Sequence, residues 1–138
     1  MTEHYITLFN YNYLPQGLTM YHSLKKNFSN FCLWIVCMDK KVEKFFLKKN
    51  YKEIKLIPLK SIENKELLKV KKKRKFIEYC WTLTPFLPSF LFKKEKTVKK
   101  VTYIDADIFF FKTPTKIIEE FKKSKKLIYI TEHGFHKD

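Results

Sequence analysis

Two carboxylates stand together at a point in the chain where they could hold a divalent cation. Asp105 and Asp107 are separated by one residue and follow an apolar segment, residues 101–104, which is typical of a buried strand. Ligand sites of parallel sheets lie beyond the carboxyl ends of the strands. Mg²⁺ and Mn²⁺ bind carboxylate oxygens and leave positions open for a substrate phosphate. Because ionised side chains beside an apolar strand cost free energy unless a cation or donors compensate them, the pattern predicts a Mg²⁺ or Mn²⁺ site here.

The segments around this pair alternate between strand-like and helix-like patterns. Strands are predicted over residues 5–9, 31–37, 54–58, 101–104 and 127–131, and helices over residues 18–26, 40–49, 61–68, 72–92 with interruptions at its prolines, and 113–121. Such alternation is typical of βαβ units and a parallel sheet. A chain of 138 residues has the length of one domain. We therefore expect a single α/β domain over residues 1–138, with a mostly parallel, Rossmann-like sheet.

Composition excludes several classes of protein. With only two glycines, neither a Walker phosphate loop nor a G-x-G-x-x-G motif can be written. The longest uninterrupted apolar run, residues 31–38, is far shorter than the about 20 residues that cross a bilayer. Cys32, Cys37 and Cys80 are odd in number and irregularly spaced, which predicts buried free thiols in a reducing compartment and hence a cytoplasmic location. Cys32 and Cys37 should face opposite sides of one strand.

The formal net charge of +15 leaves the kind of partner open. Arg74 is the one arginine among 29 basic residues, whereas readers of nucleic acid sequence rely on the planar arginine fork, so no specific nucleic acid is expected. The densest basic run, residues 69–75, is typical of a solvated helix start. It is also compatible with peripheral contact at the inner, anionic face of a membrane or, with less support, with nucleic acid.

Residues 103–108, Y-I-D-A-D-I, resemble the Y-[IL]-D-x-D-[ILM] signature of GT-A-fold glycosyltransferases, especially those near family 8 and related bacterial nucleotide-sugar transferases. In that family the two aspartates hold a divalent ion that bridges the donor diphosphate. The resemblance implies the GT-A nucleotide-diphospho-sugar transferase fold, with Mn²⁺ or Mg²⁺ as cofactor. It also implies a nucleotide-diphosphate sugar as donor, with a UDP-sugar as the first expectation, and a glycan or a lipid-linked molecule as acceptor.

The first strand extends this resemblance. Residues 6–14 are similar to the family's first strand and to the polar-x-Asn-Tyr stretch that lines its base and ribose pocket. With the metal motif, the resemblance implies donor contacts by Phe9, Asn10, Asn12, Tyr13, Asp105, Ala106 and Asp107, and metal ligation by the two aspartates. It also matches Ser23-Leu24, at the end of the family's first helix, and residues 78–85, in the helix before the metal strand.

Three features depart from the family pattern. Family 8 enzymes often carry a donor-binding arginine near the position of Trp81; Arg74 is the candidate substitute here, although its place in the basic run favours a solvated side chain. Asn10 stands where the family often has aspartate. Enzymes of this type also continue well beyond the metal motif, through an acceptor site and often a histidine metal ligand. His133 and His136 come too early for that ligand, and we expect them to be loop histidines.

The early end of the chain predicts a donor-binding half that transfers no sugar alone. It also predicts self-association or poor stability, because no crossover would cover the strand over residues 127–131. Two alternative functions stay open at this point. One is an inactive fragment that only binds a nucleotide sugar, and the other is a basic module for RNA or a membrane surface. A haloacid-dehalogenase-type phosphatase is disfavoured because that family carries its D-x-D motif near the N-terminus, whereas the motif here lies at residues 105–107.

Overall fold

A parallel sheet forms the centre of the computed structural model, which describes residues 2–130. Its strands are β1 (Glu3–Phe9), β2 (Phe31–Cys37), β3 (Ile54–Pro58) and β4 (Thr102–Tyr103), in the spatial order β3-β2-β1-β4. Every pairing is parallel. The α-helices of the described part are α1 (Leu14–Asn27), α2 (Lys40–Lys49), α3 (Lys65–Lys71), α4 (Phe76–Leu83), α5 (Phe86–Lys94) and α6 (Thr115–Ser124). The predicted α/β, Rossmann-like architecture is confirmed.

Strand β2 is buried on both faces, as its uninterrupted apolar sequence predicts. Alternate residues enter two separate apolar layers. Leu33 packs in the layer that holds the buried side chains of α1 and α2, while Trp34 packs in the layer that holds those of α3, α4 and α5. Cys37 belongs to the first layer and Cys32 to the second. The prediction that these free, buried thiols face opposite sides of the strand is confirmed.

Proline and glycine near the start of α1 do not break the chain, contrary to the prediction of a helix beginning at Leu18. The helix begins at Leu14, and Pro15 occupies its first turn, where a missing backbone N–H removes no intrahelical hydrogen bond. Gly17 lies in the same turn and is buried against the Phe9 ring. Gly17 therefore allows the Phe9 ring to pack closely against the helix and does not form a turn. Helix α2, by contrast, has the predicted bounds.

The predicted strand over residues 127–131 is wrong for its described part. Residues 127–130 form no strand, and Leu127 and Ile130 are 97% and 85% exposed. A parallel strand needs a neighbouring edge with free backbone groups, and the edge strand β4 is only two residues long. Thr131 and both C-terminal histidines lie outside the described residues. Across residues 2–130, no helix is both long enough and apolar enough to traverse a bilayer.

The beginning of β1 carries a buried carboxylate held by two lysines. Glu3 is 6% exposed, and its oxygens lie 2.5 Å from Lys100 Nζ and 3.1 Å from Lys122 Nζ. Burial by itself raises the pKa of Glu3, but the hydrogen bonds and charges of the two lysines outweigh it, so the pKa is lowered. A carboxyl group with a lowered pKa stabilises the fold at neutral pH, and this contribution is lost as the pH falls through the folded-state pKa.

We therefore predict that Glu3→Gln lowers the free energy of unfolding by about 1–2 kcal/mol at neutral pH, a modest figure because Lys122 is half exposed. Urea unfolding should show the deficit shrinking as the pH falls below the ordinary glutamate pKa of 4.5. Glu119→Gln, on the exposed side of α6, removes the same charge and serves as control. An equal, pH-independent loss in both variants would contradict the prediction.

Candidate functional site

The chain order of the sheet reverses between β1 and β4, which makes their carboxyl ends the topological switch point. Ligands of open α/β sheets bind in the crevice at such a point. A cleft of about 210 Å³ opens there. It is lined by Leu8, Phe9, Asn10 and Tyr13 from the end of β1, by Phe76, Ile77, Cys80, Trp81 and Thr84 from α4 and its end, and by Tyr103, Asp105, Ala106 and Asp107 from β4 and the turn after it.

The cleft brings together most of the residues that the sequence nominated for donor binding. Those in its lining are Phe9, Asn10, Tyr13, Asp105, Ala106 and Asp107. Asn12 is exposed on the short 3₁₀ turn after β1 and is not in the lining. Arg74 is also outside the lining, and its guanidinium donates a hydrogen bond to Thr82 Oγ1 at 2.7 Å. Donor contact by Asn12 and Arg74 stays a prediction.

Asp105 is positioned by its neighbours on both sides. Ala106 between the aspartates is 6% exposed and packs in the layer of α1 and α2, while both carboxylates face solvent. The Tyr103 hydroxyl donates to Asp105 Oδ1 at 2.8 Å. Burial raises the pKa of Tyr103, and the Asp105 carboxylate raises it further, so the phenol remains a donor. Asp105 is thereby fixed at the mouth of the cleft.

The donor set fits a cation that is shared with a ligand. Among residues 2–130, Asp105 and Asp107 are the two carboxylates in the lining, and these residues contain no group of three or more metal-binding side chains. Mg²⁺ ordinarily keeps several waters and binds through one or two carboxylates plus substrate phosphates. The described part of the chain also places no lysine or arginine in the lining, although the full sequence carries a net charge of +15. A ligand phosphate in this cleft would therefore depend on a cation for charge compensation.

Part of the cleft wall is apolar and comes from α4. Phe76, Ile77 and Trp81 line it, and burial raises the pKa of Cys80, which favours the protonated, unreactive thiol. None of these four side chains was among the predicted donor contacts. Ile77 and Trp81 lie four residues apart and share one face of α4, a spacing that is visible in the sequence but equally typical of a core-facing helix.

Asp39 positions the turn after β1 and was also missed. Its Oδ1 accepts hydrogen bonds from the backbone N–H groups of Lys41 and Val42, which caps α2, and its Oδ2 accepts one from Tyr11 N–H at 2.8 Å. The same carboxylate thus holds the start of α2 and the segment that contains Asn10 and Tyr13. An aspartate directly before a helical pattern predicts the cap, whereas the bond to Tyr11 depends on the fold.

Ser23 and Asn27 of α1 anchor the segment that follows the aspartate pair. Ser23 Oγ accepts a hydrogen bond from Phe110 N–H at 3.0 Å and donates one to the Met20 carbonyl at 2.8 Å. The Asn27 amide donates to the Phe110 carbonyl at 2.8 Å. Both backbone groups of Phe110 are thereby held by one helix, which fixes the exit of the chain from the cleft.

Comparison with known proteins finds relatives without a described activity. No family model and no solved structure matches the chain. Uncharacterized protein YfnF of Bacillus subtilis (strain 168) is 34% identical over 119 residues, which are 86% of this chain and 39% of the relative. Uncharacterized protein YfnD of the same organism is 30% identical over 132 residues, 96% of this chain and 42% of the relative. The chain spans about two-fifths of the length of these curated relatives.

Gly17 positions the Phe9 ring in the cleft wall. A Cβ at residue 17 would lie 2.6 Å from Phe9 Cζ, and the ring is buried against Phe46. We predict that Gly17→Ala costs about 1–3 kcal/mol of unfolding free energy through overpacking, although alanine is the better helix former by about 1 kcal/mol. Chemical denaturation of Gly17→Ala, with and without Phe9→Leu, measures this.

The smaller leucine should recover part of the loss that Gly17→Ala causes, so the two changes should couple favourably. Gln16→Ala, at an exposed position of the same helix, is the control and should be nearly neutral. A Gly17→Ala protein more stable than the wild type would show that helix propensity, not the contact with Phe9, decides at this site.

Ser23→Ala should loosen the segment after the aspartates. The substitution leaves the Phe110 N–H without its acceptor, at a cost of about 1–3 kcal/mol. We expect lower stability in urea and faster amide hydrogen exchange at Phe110. Ser61→Ala, which removes an exposed hydroxyl bonded to the Pro58 carbonyl, should change stability by less than about 0.5 kcal/mol. Unchanged exchange at Phe110 would rule out the anchoring role of Ser23.

Proposed function

We propose that the cleft is the donor site of a GT-A-type glycosyltransferase. In this proposal Asp105 and Asp107 hold Mn²⁺ or Mg²⁺, and the ligand is a nucleotide-diphosphate sugar, with a UDP-sugar as the first candidate. The observation that carries the proposal is the meeting of the ends of β1 and β4 in one cleft, where Asn10 and Tyr13 lie with the aspartate pair. The acceptor, a glycan or a lipid-linked molecule, is part of the same proposal.

The lining of the cleft combines two kinds of chemistry that suit such a ligand. Asp105 and Asp107 supply carboxylate oxygens, whereas Leu8, Phe9 and Tyr13 supply apolar and aromatic surface. The carboxylates suit the cation of a diphosphate, and the aromatic surface suits a base with its ribose. The volume of about 210 Å³ is below the roughly 300 Å³ of small-molecule pockets, so the cleft encloses part of the ligand and the rest extends over its rim.

Sugar transfer places negative charge on the departing nucleoside diphosphate. A divalent ion bound to the two aspartates would supply the Lewis acid that neutralises this charge. Tyr103 holds the Asp105 carboxylate in position for that ion through its hydroxyl. The protonated Cys80 takes no part in covalent chemistry. Since none of the described residues that line the cleft is basic, we expect binding of the diphosphate to depend strongly on the metal.

Calorimetric titration with UDP in the presence of Mn²⁺, and again with a chelator, tests the proposal. Wild-type affinity should fall at least about tenfold on chelation, and Asp105→Asn with Asp107→Asn should bind equally weakly under both conditions. Glu66→Gln with Glu119→Gln removes two exposed carboxylates elsewhere and should behave like the wild type. Metal-independent UDP binding that survives the double aspartate change would contradict the proposal and favour a basic, metal-free binding module.

A further inference from the structure

An apolar surface is exposed beside the cleft, on the outer side of the helices that follow β3. On α4, Phe76 is 51%, Ile77 48% and Trp81 67% exposed. Leu68 of α3 and Phe86 of α5 add two further half-exposed side chains. We call these five residues the helical patch. Neighbouring exposed apolar side chains, such as the three of α4 that line the cleft together, mark a surface for a partner, whereas single exposed ones need no explanation.

The densest basic segment of the chain directly precedes α4, the central helix of the helical patch. Residues 71–75 are all exposed and lead directly into α4. Arg74 turns back onto that helix and donates to Thr82 at 2.7 Å, which holds the segment against it. Lys71 is paired with Glu63 at 2.7 Å, whereas Lys72 and Lys73 carry their charge on the open surface. Exposed cationic side chains thus directly precede the exposed apolar side chains of α4 in the chain.

We propose that this face docks onto an anionic lipid bilayer. Tryptophan and other apolar side chains enter the boundary between head groups and acyl chains, and lysines near the surface each contribute about 1 kcal/mol with anionic lipid. Exposed lysines can keep their charge in water while their stems lie on apolar surface. The exposed apolar and cationic side chains therefore match the two layers of a membrane boundary in chemistry.

Nucleic acid fits the same face less well. Phe76, Trp81 and Phe86 offer planar surfaces for bases, but Arg74, the one arginine of the chain, is engaged with Thr82 and leaves no free guanidinium beside them. Docking by the helical patch does not depend on metal or nucleotide. What docking would mean for the acceptor, however, rests on the proposed function. Phe76 and Trp81 also line the cleft. Docking would therefore bring the mouth of the cleft to the bilayer, where a lipid-linked acceptor is held.

Co-sedimentation with vesicles tests the proposal, using phosphatidylcholine alone and equal parts of phosphatidylcholine and phosphatidylglycerol. We expect binding to the anionic vesicles only, weakened by salt. The two tryptophans differ sharply in exposure, with Trp34 at 3% and Trp81 at 67%. A blue shift of the fluorescence on binding would therefore report on Trp81 entering the lipid. All measurements include a chelator, so the outcome is separate from that of the nucleotide titration.

The decisive comparison uses two triple variants of equal charge. Trp81→Ala with Lys72→Glu and Lys73→Glu alters the proposed face. Leu47→Ala with Lys44→Glu and Lys48→Glu alters exposed positions of α2, where Leu47 is also 67% exposed. The first should lose at least about tenfold in vesicle affinity and the second much less, with both folded by circular dichroism. Equal losses, no binding of the wild type to anionic vesicles, or displacement of the vesicles by single-stranded RNA would overturn the proposal.

Discussion

Parallel pairing of β1 on both of its edges is the constraint on which the rest of the molecule depends. The Ile104 N–H donates to the Ile6 carbonyl at 3.0 Å on one side, and the Met38 N–H donates to the Phe9 carbonyl at 3.1 Å on the other. Because the strands run in the same direction, the chain leaves β1, β2 and β4 at one edge of the sheet. Asn10, Asp39 and Asp105 follow these three strands, and their proximity is a consequence of this pairing.

The backbone ladder alone does not hold the aspartates in place, since β4 contributes only two residues to it. The remaining contacts come from the layer of α1 and α2 on one face of the sheet. Ser23 and Asn27 of α1 fix Phe110, and Ala106 is buried between the two exposed carboxylates. A turn that is anchored at both ends can present charged groups without a long strand beneath it. Its geometry therefore depends on the seating of α1 against β1, where Gly17 meets Phe9.

The sequence pattern of a single segment correctly predicted those strands and helices whose structure depends mainly on that segment. Strand β2 and helix α2 have the predicted bounds because one is an unbroken apolar run and the other has a clear amphipathic period. Residues 127–130 have an equally apolar sequence but no strand, since a strand requires a neighbour. The aspartate pair was visible from its spacing, whereas the meeting of α4 with the end of β1 and the bond from Tyr11 to Asp39 join residues far apart in the chain. The sequence pattern of a single segment does not predict such contacts.

The distribution of charge bears on how the proposed ligand would reach the cleft. A net charge of +15 repels a free divalent cation at long range but attracts a nucleotide-diphosphate sugar, whose diphosphate carries negative charge. At physiological ionic strength this field is screened beyond about 8 Å. Within that distance Asp105 and Asp107 decide, because no basic side chain of residues 2–130 lines the cleft. The lysines of the surface would thus attract the diphosphate, and the carboxylates of the cleft would hold the cation that compensates its charge there.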